Sequence, residues 1–298
     1  MPERSVHLAL FVTMAVWGLN LSVVRWLTGS LDLWVIAASR MLFAAATLLL
    51  LLRVRREVWP VWRGRELLLG LGVAFVFVYF QQVLFVAGLQ RTTATNAAII
   101  MALSPVVSLL TEAALFRRGI HGRQVQGTLA ALVGVLMVVL HRPGAELGEA
   151  AWGDLIIFLS TVNYAIGGSG IQKLARINPI LPTNTFVHTV GAIMLVVHLL
   201  FAAGPAEYAP LWALDAWGWF LLAMSGILAT ALGSYVWVMG IAALGVGRNG
   251  TYLYWVPIFG MIFGVAFLNE PVTPWHIAGL LLVLWGSKRA IQPARAAE

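Results

Sequence analysis

Residues 94–116 read ATNAAIIMALSPVVSLLTEAALF and residues 247–268 read GRNGTYLYWVPIFGMIFGVAFL. Each run is apolar and long enough to cross a bilayer as a helix, and each carries a proline near its middle, Pro105 and Pro257, 152 positions apart. The same offset relates Gly88 to Gly240, Gly127 to Gly279 and Gly134 to Gly286. With 29 glycines in the chain a single match means little, but four helix-shaping positions in one register, a proline among them, define an internal repeat.

Working outward from these two runs, ten apolar segments of spanning length can be drawn: 6–26, 33–52, 66–89, 94–116 and 124–140, then 152–173, 181–203, 216–244, 247–268 and 275–292. The repeats are therefore 1–146 and 147–298, with five helices each. Five is odd, so the second copy must enter the membrane from the opposite side. The expected fold is all-α and membrane-integral, ten transmembrane helices as two inverted five-helix repeats, with a solute site near mid-membrane between the halves.

Composition agrees. Of 298 residues 60% are hydrophobic and 10% charged, against about a quarter charged in soluble domains, and the mean hydropathy is +0.88. The net charge of +7 does not indicate nucleic acid, because the basic residues sit in short loops between apolar runs instead of forming one surface. Cysteine is absent, which excludes disulfides and thiolate chemistry. The first apolar run has no small-residue cleavage site and reads as a retained span.

Placing the N-terminus in the cytoplasm gathers Arg4, Arg53, Arg55, Arg56, Arg63, Arg65, Arg117, Arg118, Arg123, Lys173, Arg176, Arg248, Lys288, Arg289 and Arg295 on the cytoplasmic side and leaves Arg25, Arg91 and Arg142 outside. The positive-inside rule then puts both termini in the cytoplasm of a multi-pass inner-membrane protein. Outer loops hold Asp32, Glu146, Glu149, Asp154, Glu207, Asp215 and Glu270.

Trp17-Gly18-Leu19-Asn20 in the first span, Arg40 in the second, Ser104-Pro105 in the fourth, and Pro257, Asn269-Glu270-Pro271 and Gly279 in the last two resemble the drug/metabolite transporter superfamily, in particular an EamA-type ten-helix exporter, its amino-acid exporter branch included. The resemblance covers nearly the whole chain. It implies export of amino acids, metabolites or drugs by alternating access, without a nucleotide-hydrolysing domain. The chain has no G-x-x-x-x-G-K-[ST] loop. One departure stands out: the family often has Gly-Glu after each proline-bearing helix, but the first copy reads Arg117-Arg118-Gly119, so that carboxylate carries over only to Glu270.

Amides and aromatics in mid-span must face a cavity or bond a neighbouring helix, since an unpaired polar group in lipid is costly. Four helices offer such pairs: Trp17 and Asn20, Tyr79 and Gln82, Asn163 and Tyr164, and Tyr252 and Trp255. They are the expected substrate-binding set, each weighed against ordinary interhelical packing. Arg40 lies about 10 Å deep by helical rise and is read as either a substrate-carboxylate anchor or a structural arginine bonded to helix-end carbonyls. Glu112, the one carboxylate well inside a span, is the proton-coupling candidate, with a snorkelling pair to Arg117 and Arg118 as the alternative. Pro105 and Pro257 remove a helical hydrogen bond and are expected kinks. Trp26, Trp34, Trp59, Trp62, Trp152, Trp217, Trp219 and Trp275 read as interfacial belt residues.

No metal site or cofactor is expected, and His188 and His198 stand too far apart in sequence to pair locally. The partners are a small-molecule substrate and the lipid bilayer, with no nucleic acid, and a monomer is the expected form. No cluster of intramembrane Arg or Lys exists to neutralise a nucleotide sugar, and no nucleophile or acid–base pair marks a membrane enzyme. The expected function is export of small amphipathic solutes, amino acids with aromatic or other apolar side chains first. Exporters of other solute classes and a non-transporting sensor or scaffold remain as alternatives.

Overall fold

In a computed structural model, residues 3–116, 121–141, 149–175 and 177–291 are described, and within them the regular structure is entirely helical. The spans are α1 (Glu3–Leu27), α2 (Leu33–Val54), α3 (Arg65–Arg91), α4 (Ala94–Met101 continued by Ser104–Phe116), α5 (Gly122–Leu140), α6 (Glu149–Ala175), α7 (Ile180–Ala202), α8 (Ala216–Met224 through Ser225–Leu232 to Gly233–Gly250), α9 (the 3₁₀ turn Thr251–Tyr254, then Trp255–Leu268) and α10 (Pro274–Ile291). A short helix, Pro205–Trp212, joins α7 to α8. Eight of the described spans are long and apolar enough to cross a bilayer, Tyr252–Leu268 is a shorter apolar helix, and α10 ends on Lys288 and Arg289. The protein is a multi-pass membrane protein with the ten-helix, two-repeat fold.

The repeat explains the packing. α5 lies against α10, with Gly127 meeting Gly286 and Gly134 meeting Gly279. A Cβ on Gly127 would stand 2.5 Å from the backbone of Gly286 and Ala290, and one on Gly279 2.6 Å from the carbonyl of Gly134. Exchanging the repeats turns one contact into the other, so a pseudo-two-fold axis runs through this seam. Other pairings obey the same exchange: α2 packs on α7, α1 on α8 and α9, and α6 on α3 and α4.

Three features depart from simple spans. α8 runs on to Gly250, six residues beyond the expected limit, and the chain then reverses in the 3₁₀ turn; Asn249 donates Nδ2 to the carbonyl of Trp237 (3.3 Å). α4 is interrupted at Ala102 and Leu103, just before Pro105. Proline has no N–H for the carbonyl four residues back, and the Ser104 hydroxyl donates to that carbonyl, Met101 O, at 2.5 Å. Ser287 on α10 donates to Ala102 O at 3.3 Å. Finally, α3 and α8 each pass through a π-helical stretch, Ala74–Phe80 and Ser225–Leu232, at equivalent positions of the two repeats.

Candidate functional site

A π-helical stretch carries an extra residue in the turn and leaves carbonyls poorly matched to backbone donors, a state tolerated in membranes where side chains make up the bond. Both stretches are treated alike. Trp17 Nε1 on α1 donates to Ala229 O of α8 at 2.7 Å, and Asn163 Nδ2 on α6 donates to Val76 O of α3 at 2.5 Å. In each case the first helix of one repeat latches the third helix of the other.

The π-helical stretch of α8 also presses against α2. Gly226 has room for no side chain, since a Cβ there would stand 2.4 Å from Arg40 O. That contact sets Ser225 beside Arg40. Arg40 Nε donates to Ser225 Oγ (2.5 Å), and Ser225 Oγ donates to Asn20 Oδ1 (2.5 Å). On the other side Arg40 Nη1 donates to Gln82 Oε1 (3.0 Å), Gln82 Nε2 to Gln81 Oε1 (2.8 Å), and Gln81 Nε2 to Ser160 Oγ (3.3 Å). One polar chain thus crosses the bundle through α1, α8, α2, α3 and α6, about 10–15 Å from the membrane end that carries Asp32, by helical rise.

Arg40 is the charged centre of this chain and is only 2% exposed. Among the described residues it forms no ion pair with a carboxylate, and Nη2 has no hydrogen-bond partner. The Phe85 ring lies 5.5 Å from its guanidinium carbon. An unneutralised guanidinium in a membrane interior is costly, and this one keeps planar donor edges available for an anion.

The other expected site residues divide by location. Trp17, Asn20 and Gln82 belong to the central assembly with Arg40, Trp17 also standing 5.7 Å from the Trp237 ring. Asn163 is taken up by the α3 latch. The Tyr79 hydroxyl pairs with His198 on α7, whose ring stacks on Trp34 at 3.8 Å. Tyr164 is 40% exposed beside Phe77. Tyr252 pairs with His7 at the opposite end of the bundle, and Trp255 meets Phe11 edge-on at 5.1 Å on an exposed flank. These last residues do not meet one another. The side chain of Glu112 and residues Arg117, Arg118 and Gly119 lie outside the described residues.

Several functional groups had no signal of their own in the sequence. Ser225 and Gln81 are ordinary residues in apolar runs until the packing aligns them. Glu270, left by the family pattern as an isolated carboxylate, accepts from the N–H groups of Ala94 (2.7 Å) and Thr95 (2.8 Å), capping α4 of the other repeat. Asn269 reaches it by a left-handed turn (φ 52°) that ends α9.

Known proteins share this architecture. A solved crystal structure covers 96% of this chain and 97% of its own with a TM-score of 0.67 at 18% identity, a likeness of fold. The uncharacterized transporter YetK of Bacillus subtilis is 23% identical over 286 residues, 95% of this chain and 86% of its own length. The biotin transporter of Escherichia coli is 24% identical over 294 residues, covering 95% and 93%. The EamA-like transporter family pattern matches twice, over residues 4–140 and 151–287, one match on each set of five helices that meet at the α5–α10 seam. A chain that repeats the family unit once per half, and folds the two about a pseudo-two-fold axis, belongs to the EamA-like transporter family.

Proposed function

We propose that this transporter exports small amphipathic carboxylates, amino acids with aromatic or other apolar side chains foremost, across the bacterial inner membrane by alternating access, as a monomer with both termini in the cytoplasm. The observation that carries this reading is Arg40: a buried guanidinium held by Ser225 and Gln82, with Nη2 unbonded among the described residues. A solute carboxylate supplies the missing counter-charge through charge-assisted hydrogen bonds. Phe85 beside it, and Trp17 three residues before Asn20 on α1, offer apolar surface, and Asn20 and Gln82 offer amides for the remaining polar groups. The paired latches on α3 and α8 are the contacts that exchange as the repeats rock. The helices bend at the breaks one turn before the prolines: at Ala102–Leu103 ahead of Pro105, and in the 3₁₀ turn Thr251–Tyr254 ahead of Pro257, which itself sits inside the unbroken helix Trp255–Leu268.

A second reading has its own support. The Escherichia coli relative is named a biotin transporter, and biotin also joins a carboxylate to a compact apolar body. Both readings use Arg40 identically and differ in what lies beyond the carboxylate. Uptake into proteoliposomes of radiolabelled L-phenylalanine, L-leucine, L-lysine, biotin and a cationic dye separates them. Saturable uptake of an apolar amino acid supports the first reading, and uptake of biotin alone supports the second. Transport of the cation alone, or of nothing, overturns both.

A further inference from the structure

Residues 53–65 join α2 to α3 at the membrane end opposite Asp32, and they carry Arg53, Arg55, Arg56, Arg63 and Arg65 against Glu57 alone. All five arginines are exposed. Among the described residues none of them forms an ion pair or a side-chain hydrogen bond, and Arg55 stands over the Tyr235 ring of α8 with its guanidinium carbon 5.8 Å away. The segment is nonetheless fixed in place. Trp62 is buried beneath Gly70 with its ring 4.4 Å from that of Phe186 on α7, and Trp59 stands 5.6 Å from the same phenylalanine. Lys173 on α6 adds an exposed cation nearby: Gly170 abuts Val73 of α3, and Lys173 lies about one turn nearer the loop.

The backbone of the loop adds a second observation. Past the end of α2 the Arg56 N–H donates to Arg53 O and the Glu57 N–H to Leu52 O, both at 3.1 Å, while Arg56 itself is left-handed at φ 56°. Glycine is favoured at such a position because a Cβ there meets a steric cost. Arginine is kept instead, and the loop holds one more cation for it. Gly64, at φ 54°, forms the other corner. Between the corners Val58 and Val61 are 79% and 78% exposed, so apolar surface stands among the arginines at the edge of the bilayer. Leu50 and Val54 on α2 and Leu68 on α3 are exposed as well and carry that surface on towards the hydrocarbon.

We propose that this loop is a binding site for the headgroup of an anionic phospholipid, whose acyl chains lie along the exposed flanks of α2 and α3. Guanidinium groups without a counter-charge pair with the phosphate, and the valines sit at the boundary between headgroup and acyl chain. A zwitterionic headgroup also offers a phosphate but brings a cation that the arginines repel, so net negative charge is the feature recognised. The site is separate from Arg40 and independent of which solute is carried.

The test uses the full-length protein, offered phosphatidylglycerol and phosphatidylcholine with identical acyl chains in equal amounts, and reads the retained lipid by native mass spectrometry. The parent is expected to prefer phosphatidylglycerol by at least about fivefold, the gain from a single arginine beside an anionic surface. Changing Arg53, Arg56, Arg63 and Arg65 together to Gln should abolish the preference, and changing the same four to Lys should keep it, since charge and not packing is what binds. Arg4→Gln with Arg123→Gln removes two exposed arginines outside the loop and should leave the preference as it was. A second readout locates the lipid. The chain lacks cysteine, so a bimane can be placed at Val58→Cys or, at the other membrane end, at the exposed Ser30→Cys, in nanodiscs holding either lipid with a nitroxide on its acyl chain. Phosphatidylglycerol should quench the first label more than phosphatidylcholine does and the second label equally. Equal retention of the two lipids by the parent, as an acidic soluble partner for the loop would give, overturns the proposal. So does a preference that survives the four Gln substitutions, one lost with the four Lys substitutions or with the Arg4 and Arg123 pair, or the same quenching pattern at both labels.

Discussion

Adding one methyl group to the α5–α10 seam tests the pseudo-symmetric fold. In Gly127→Ala the new Cβ lies 2.5 Å from Ala290 N and Gly286 O, where ordinary contact begins at 3.4 Å. Both obstacles are backbone atoms, so no side chain can swing aside and the helices must separate by about 0.9 Å at that point. A gap of about that size costs facing atoms roughly a quarter to a half of their dispersion energy, and overpacked interiors typically lose about 1–3 kcal/mol. At roughly 2–3 °C per kcal/mol for a chain of this size, the apparent Tm should fall by about 2–9 °C. Gly72→Ala is the control, because nothing lies within 4 Å of its Cβ, and an added methyl in mid-helix stabilises by about 0.5–1 kcal/mol. Size-exclusion profiles of heated, detergent-solubilised variants measure both. Because Gly127 touches Gly286, the double variant Gly127→Ala with Gly286→Ala should cost less than the two singles together: helices already parted admit the second methyl. Equal stability of Gly127→Ala and Gly72→Ala, or full additivity in the double variant, would refute the seam.

Other outcomes follow from the same geometry. Tags at Glu298 and in the loop 53–65 should report cytoplasm and a tag near Glu146 periplasm, as alkaline phosphatase and green fluorescent protein fusions will read; a periplasmic C-terminus contradicts the ten-span topology. Trp17→Phe removes the donor to Ala229 O and should slow counterflow by about 2- to 30-fold, consistent with about 0.5–2 kcal/mol for one hydrogen bond; an unchanged rate in folded protein removes the latch from the cycle. Tyr79→Phe should lower stability by about 1 kcal/mol through loss of the His198 pairing while leaving solute preference as it was, which a competition panel checks. A changed preference would place Tyr79 at the solute.

How much was legible in the sequence depends on whether a feature is periodic or relational. The repeat was legible because Gly127, Gly134, Gly279 and Gly286 have to be small wherever two backbones touch, and that requirement leaves a register in the chain. Arg40 was legible as an oddity, a charge in an apolar run, and so were Asn20 and Gln82. What gathers them was not. Ser225 reaches Arg40 only because Gly226 lets α2 close on α8 and because the helix there is π-wound, and neither fact shows in composition or period. Trp62 illustrates the limit from the other side. It reads as a belt residue near a span end, yet it is buried against Phe186 beneath Gly70, since a tryptophan near an interface can turn inward wherever a glycine opens space. Aromatic pairs at i,i+3 spacing share a helix face, but which neighbour that face meets is decided by tertiary packing. Tyr79 therefore stands with His198 and Trp255 with Phe11, while Trp17 stands at the centre.

The most direct test of the central claim compares each carboxylate with its own carboxamide. Proteoliposomes loaded with unlabelled L-phenylalanine or biotin are assayed for counterflow of the labelled compound, with L-phenylalaninamide and biotinamide as competitors, in the parent and in Arg40→Met. A charge-assisted hydrogen bond contributes about 1.5–3 kcal/mol, so the amides should compete roughly 10- to 100-fold less well than the acids in the parent. Arg40→Met should erase that preference by weakening the acids alone. Amides that compete as well as acids, or an acid preference that survives Arg40→Met in folded protein, would contradict the account.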